Sequence, residues 1–170
     1  HVDEQLSRWL GAIPLLLPIL QRLNLVKIIN RYCPTRADVN SGIVALILVT
    51  NRLMAPKPLY KVADWLATTV LAQTLDIAPE KLHDRRIGDC LDALYEHIDS
   101  IWIEIIHQAK KEFGFRIDFI HYDITSTYFE GAYEDADKIS YGYSRDHKSD
   151  CKQVNLQLNV TNEDGIPLAY

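Results

Sequence analysis

Cysteine is scarce in this sequence, positive charge is in deficit, and no apolar run is long enough to cross a bilayer. The three cysteines, Cys33, Cys90 and Cys151, are far apart and odd in number, and no Cys-x-x-Cys pair occurs. That pattern argues against a disulfide framework and against a zinc site built on closely spaced ligands. It fits reduced packing residues in a cytoplasmic protein. The longest apolar stretch near the start, residues 12–20, is broken by Pro14 and Pro18. It falls far short of the roughly 20 residues a spanning helix needs, so no membrane association is expected. No basic segment leads into a small-residue cleavage site, so nothing points to secretion. A start at His1 rather than Met leads us to expect that the sequence does not begin at a native initiator. The net charge of −5 is unevenly placed: residues 1–115 carry 13 Lys+Arg and 13 Asp+Glu, whereas residues 116–170 carry 5 and 10. A nucleic-acid binder usually shows a basic face, so net charge lends no support to that class. The acidic end suits a metal site and a solvated surface equally well.

What the sequence has is apolar patterning. At 170 residues and 48% hydrophobic, it suits one domain, or a small domain with part of another. The first two-thirds reads as helices. Segments 14–23 and 25–31 are short and apolar, the second stopped by Cys33-Pro34. Ser41 suits the N-cap of a strongly apolar helix over 42–54, which ends at Ala55-Pro56-Lys57-Pro58. Pro58 suits the first position of a helix over 59–67. Asp84 can cap a further helix whose Ile87, Leu91, Leu94 and Ile98 lie on one side. Asp99 or Ser100 can cap another that runs to Phe113 and stops at Gly114. Beyond it the period changes. Residues 117–124 read as a strand buried on both faces. Over 153–161 Val154, Leu156, Leu158 and Val160 alternate with Gln153, Asn155, Gln157 and Asn159. A turn at 162–165 and a returning strand from Ile166 make the pair antiparallel. The fold class expected is therefore α+β, with a helical domain over 1–114 and a second domain over 115–170. Because Tyr170 lies inside a strand, the sheet is expected to be interrupted there.

Chemistry concentrates around Asp123, in the segment His121-Tyr122-Asp123-Ile124-Thr125-Ser126-Thr127-Tyr128-Phe129-Glu130-Gly131. An Asp near the end of a buried strand, closely followed by Thr and Ser, must be paired, hydrogen-bonded or bound to a cation. Thr125 and Ser126 could satisfy it locally, and a metal could do so instead. His121, on the same strand face, could position a phosphate or serve as a hydrogen-bonded core histidine. Glu130, Glu134, Asp135 and Asp137 read as a solvated loop. Arg145, His147, Lys148 and Lys152, with Tyr141 and Tyr143 interleaved, suit phosphate contacts and stacking, or a loop balanced by Asp146 and Asp150. In the helical part, the helices joined by residues 55–58 suggest a helix–turn–helix arrangement, with Arg52, Lys57 and Lys61 around the turn. The helix over 42–54 is too apolar to enter a groove, so the second helix is the candidate. Asp84-Arg85-Arg86 could also touch phosphates, or be a solvated helix start. Trp9, Trp65 and Trp102 read as core or interface anchors.

The Asp123 segment resembles the first catalytic block of DDE transposases of bacterial insertion elements, whose opening strand commonly ends in Tyr-Asp-Thr-Thr-Ser. The resemblance continues through Tyr128-Phe129-Glu130-Gly131-Ala132, Tyr141-Gly142-Tyr143-Ser144-Arg145-Asp146-His147-Lys148, Lys152-Gln153-Val154-Asn155-Leu156 and Gly165-Ile166-Pro167-Leu168-Ala169. Upstream, Leu10-Gly11-Ala12-Ile13-Pro14-Leu15 and residues 51–60 resemble the helical domain that precedes the core in one branch of these enzymes. The resemblance implies an incomplete RNase H-like core after the helical domain, and DNA cleavage and strand transfer by two magnesium ions on three carboxylates. Asp123 matches the first carboxylate and metal ligand; positions for the other two lie beyond residue 170. The chain alone is thus expected to be catalytically incomplete and to hold no magnesium stably. Ile124 departs from the usual Thr after the Asp. The implied partner is DNA, at the element's terminal inverted repeats, contacted by Lys57, Lys61, Arg145, His147, Lys148 and Lys152. A second copy or a full-length transposase is the other implied partner. The alternative is a DNA-binding or self-associating regulator derived from a transposase.

Overall fold

Helix α3 (Ser41–Met54) lies at the centre of the helical part because its sequence leaves it almost no polar face. Val44, Ala45, Leu46, Ile47 and Leu48 are all buried, and a helix apolar around most of its girth must be enclosed by others. The computed structural model describes residues 7–118, 120–129, 140–141 and 151–169, with backbone alone at positions 123, 126, 128 and 129. It has an α+β fold, and the chain divides into two compact units, His1–Phe113 and Gly114–Tyr170.

In the helical unit, α1 (Ile13–Arg22) and α2 (Leu25–Tyr32) join through Asn24, whose left-handed φ of 53° lets the chain bend by 54° between them. Leu25, Ile28 and Ile29 turn one face of α2 inward. Helix α2 meets α3 at Gly42, where a Cβ would lie 2.4 Å from the Val26 carbonyl oxygen. The Gly42 N–H donates to Asn30 Oδ1 at 2.7 Å, locking the approach. The cap of α3 is Asn40, whose Oδ1 accepts from Ile43 N at 3.0 Å, and not Ser41 as the sequence suggested. Ser41 is the first helical residue, and its hydroxyl accepts from Arg86 Nη2 at 3.2 Å. After α3 comes a 3-10 turn (Leu59–Lys61) and then α4 (Val62–Ala67), so the single helix expected over 59–67 is divided. Pro58 precedes the turn, its carbonyl accepting from Lys61 N at 2.9 Å. Helix α5 (Leu71–Thr74) and a second 3-10 turn (Pro79–Lys81) lead to α6.

Helix α6 (Asp84–Phe113) is one helix of 30 residues, about 45 Å at the usual rise, and not the two expected. Asp99 and Ser100 can cap a helix, but neither breaks one. From 89 to 113 no Gly or Pro interrupts it. Its cap is His83 and not Asp84: His83 Nδ1 accepts from Arg86 N at 3.2 Å. It ends at Gly114, with φ +70°. Two ion pairs tie its C-terminal half to the preceding helices, Arg22–Glu112 at 2.7 Å and Arg31–Glu104.

Cys33 and Cys90 are buried core residues, donating to the carbonyls of Ala93 (3.4 Å) and Ser41 (3.5 Å). Burial pushes both thiols above their ordinary pKa. A raised folded-state value means the native state holds these protons more tightly than the unfolded chain. The resulting stability is present below the ordinary thiol pKa and is lost as pH rises above it. Cys33 and Cys90 are therefore expected to resist a thiol reagent near pH 7 and to react once guanidinium unfolds the chain. A thiol count with an aromatic disulfide checks this; two buried thiols reacting at full rate in the native protein would contradict it. Among the tryptophans, Trp65 is buried, whereas Trp9 is 47% exposed and engages through its backbone with Thr68 and Val70.

The second unit holds β1 (Ile120–Phe129), β2 (Lys152–Thr161) and β3 (Pro167–Ala169) in an antiparallel sheet of order β1-β2-β3. Gly165, with φ +62°, completes the turn, and buried Thr161 accepts from Ile166 N at 2.9 Å. The alternation read over 153–161 is the β2 strand. The first strand departs from expectation: it starts at Ile120, and Ile120, Tyr122 and Ile124 are 56%, 64% and 52% exposed. The register explains this. Positions 120, 122 and 124 face Thr161, Asn159 and Gln157, while the apolar Leu156 and Leu158 face positions 125 and 123. The apolar faces of the two strands are out of phase, so neither side of the pair gathers the continuous apolar surface that burial on both faces requires.

Candidate nucleic-acid interface

The corner between α3 and α4 is built around a buried asparagine. Asn51 is fully enclosed; its amide donates to Ala55 O at 3.0 Å, and its Oδ1 accepts from Lys57 N at 3.1 Å. Arg52 Nη1 reaches the Lys57 carbonyl at 2.9 Å, so the Lys57 peptide is held from both sides. Pro56 and Pro58, with their fixed φ, leave the turn little freedom. The segments Ser41–Met54 and Leu59–Ala67 consequently bend by 95°, within the roughly 90–120° range of helix–turn–helix pairs.

Val62, Trp65 and Leu66 anchor α4 inward, which turns Tyr60, Lys61 and Asp64 outward. Lys61 Nζ lies 5.8 Å from the Tyr60 ring centroid. The exposed surface therefore gathers Arg52, Lys57 and Lys61 beside Tyr60 and Leu53, with Asp64 as the acid on α4. Three cations and an exposed ring on a rigid corner can contact phosphates and pack on sugar or base. Helix α4 itself spans only six residues. Asn51, which shapes the corner, was missed from sequence. Its signal is a lone amide in the last turn of an otherwise apolar helix ahead of a proline-rich turn. The suggestion that Arg86 touches phosphate is corrected: it is buried, donating from Nε to Val39 O at 2.8 Å and from Nη2 to Ser41. Arg85 stays exposed.

The other candidates belong to the sheet unit. Asp123 sits mid-strand in β1, in register with Leu158, and not near the strand's end as expected, because pairing with β2 carries the strand on to Phe129. Strand alternation puts position 123 in phase with 121, 125 and 127. His121 is exposed, its Nε2 2.5 Å from Asn162 Oδ1, so it is not a core histidine. Lys152 opens β2, half-buried and in register with Phe129. Arg145, His147 and Lys148 lie outside the described residues, as do Tyr143, Glu130, Glu134, Asp135 and Asp137. Among the described residues, no three His, Cys, Asp or Glu side chains form a group that could hold a metal ion. No single helix among the described residues is long and apolar enough to cross a membrane.

Fold and corner together define a helical domain organised on one enclosed helix, followed by an antiparallel sheet. The chain belongs to the family described as Domain of unknown function (DUF4277), whose model matches residues 7–107. No curated protein and no solved structure matches it.

Proposed function

We propose that this chain binds DNA through the α3–α4 corner, as the N-terminal part of a DDE-transposase-like protein. The observation that carries the reading is the right-angled helix pair with Arg52, Lys57 and Lys61 exposed around its turn. The transposase-like strings around Asp123 and over residues 51–60 supply the context. Under this reading Asp123 is the counterpart of the first metal-binding carboxylate. The DNA partner is the pair of inverted repeats flanking the gene.

The corner is tested by K57Q/K61Q, which removes two charges from exposed side chains. By fluorescence anisotropy, duplex affinity should fall roughly ten- to a hundredfold, and the slope of log K against log salt should flatten by about 2. Thermal unfolding should be unchanged, since neither side chain is buried. Unaltered affinity and slope would sink the assignment of the corner.

A further inference from the structure

We propose that the groove between α2 and α6 is a phosphate-binding site that takes the sugar–phosphate backbone of duplex DNA, in addition to the corner. This rests on the DNA-binding reading above, and the experiment separates the two.

The groove has a volume of about 330 Å³ and is lined from two helix faces. From α2 and its leading turn come Asn24, Lys27 and Arg31, over a buried Ile28. From α6 come Glu104, His107, Gln108 and Lys111. Both sets follow the i, i+3, i+4, i+7 spacing that puts residues on one helix face. The ion pairs Arg31–Glu104 and Arg22–Glu112 make the helices antiparallel and close the two ends. Gln108 adds a bond from its amide to Arg22 O at 2.9 Å. The groove is thus held rigid by contacts that do not use Lys27 or Lys111.

Charge decides the ligand class. The lining carries Lys27, Arg31 and Lys111 against Glu104, two positive charges in excess on a chain whose net charge is −5. Glu104 is already engaged, accepting from Arg31, and its carboxylate raises the Tyr32 pKa. Glu112, beside Lys111, is held by Arg22. Lys27 and Lys111 are exposed and make no ion pair among the described residues. The concavity therefore presents mobile ammonium donors, with its acidic neighbours neutralised. An anion rich in acceptor oxygens meets that inventory, and phosphate is the one lysines hold as point charges. At roughly 30 Å³ per water, the volume equals about eleven waters, which exceeds a single inorganic ion and suits a phosphodiester with its sugar.

The test uses the whole chain, a duplex of scrambled sequence and a duplex carrying the flanking repeat. K27Q/K111Q should weaken binding to both duplexes alike, roughly tenfold or more, and flatten the salt slope by about 2. Preference for the repeat should survive. K27R/K111R should restore both quantities. Thermal unfolding should match the parent, confirming that a binding loss is not a folding loss. Unchanged affinity and slope in K27Q/K111Q overturns the proposal. Loss of repeat preference in the parent, with the groove effect intact, is a failure of the corner reading alone. Absence of any duplex binding overturns both. Inorganic pyrophosphate at constant ionic strength should compete with duplex for the parent. If it raises the melting temperature of the parent and not of K27Q/K111Q while duplex binding is equal in the two, the ligand is a free phosphate compound and the backbone assignment falls.

Discussion

Gly42→Ala is expected to destabilise the helical unit by about 2 kcal/mol and to lower its melting temperature by about 10 °C. In an open helix the same change stabilises by up to about 1 kcal/mol, because Ala loses less entropy on becoming helical. At Gly42 a Cβ would sit 2.4 Å from Val26 O and 2.8 Å from Val26 Cα. Both atoms are backbone, so no rotamer change relieves the clash and α2 must move away from α3. That movement also strains the 2.7 Å bond from Gly42 N to Asn30. Gly88 in α6 is the internal control: a Cβ there meets nothing within 4 Å. Gly88→Ala should therefore stabilise by about 0.5–1 kcal/mol. Opposite signs at two helical glycines, read by thermal unfolding, would establish the α2–α3 contact; a Gly42→Ala variant melting at or above the parent would refute it.

Asn51→Leu should cost about 2–4 kcal/mol, although it replaces a buried polar side chain by an apolar one of similar size. Burial of a leucine is favourable by itself. The substitution, however, strips the partner from the Ala55 carbonyl and the Lys57 N–H, each worth about 1–3 kcal/mol when left unsatisfied in an enclosed site. A urea midpoint at unchanged m-value measures the loss. Because those two bonds set the path of residues 55–57, the variant should also bind DNA less tightly under conditions where it remains folded. A stability within about 0.5 kcal/mol of the parent would mean that the prolines alone hold the turn.

The α2 and α3 helices were legible because Pro34 and Pro56 punctuate them, and the enclosure of α3 because its apolar residues leave no polar stripe. A break at Asp99 was wrongly expected, since a residue that can cap a helix is tolerated inside one when its neighbours favour the helix. The phase between β1 and β2 was illegible, because register is set by pairing and not by either strand alone. The same division holds at the site. Lys57 and Lys61 could be found from the turn that carries them. Asn51 could not be ranked without knowing that its amide is enclosed, and Arg86 was misread because only tertiary contacts reveal that Val39 and Ser41 bury it. The α2–α6 groove joins Lys27 to Lys111, positions that no local pattern connects.

Recognition of DNA by this helical domain is open to a competition mobility shift. The whole chain would be mixed with a labelled duplex carrying the repeat that flanks the gene, at moderate salt, and challenged with unlabelled repeat or scrambled duplex. The expected result is a retarded band that the repeat displaces at least tenfold more effectively than scrambled DNA. Retardation that both competitors abolish equally, or none at all, would contradict it.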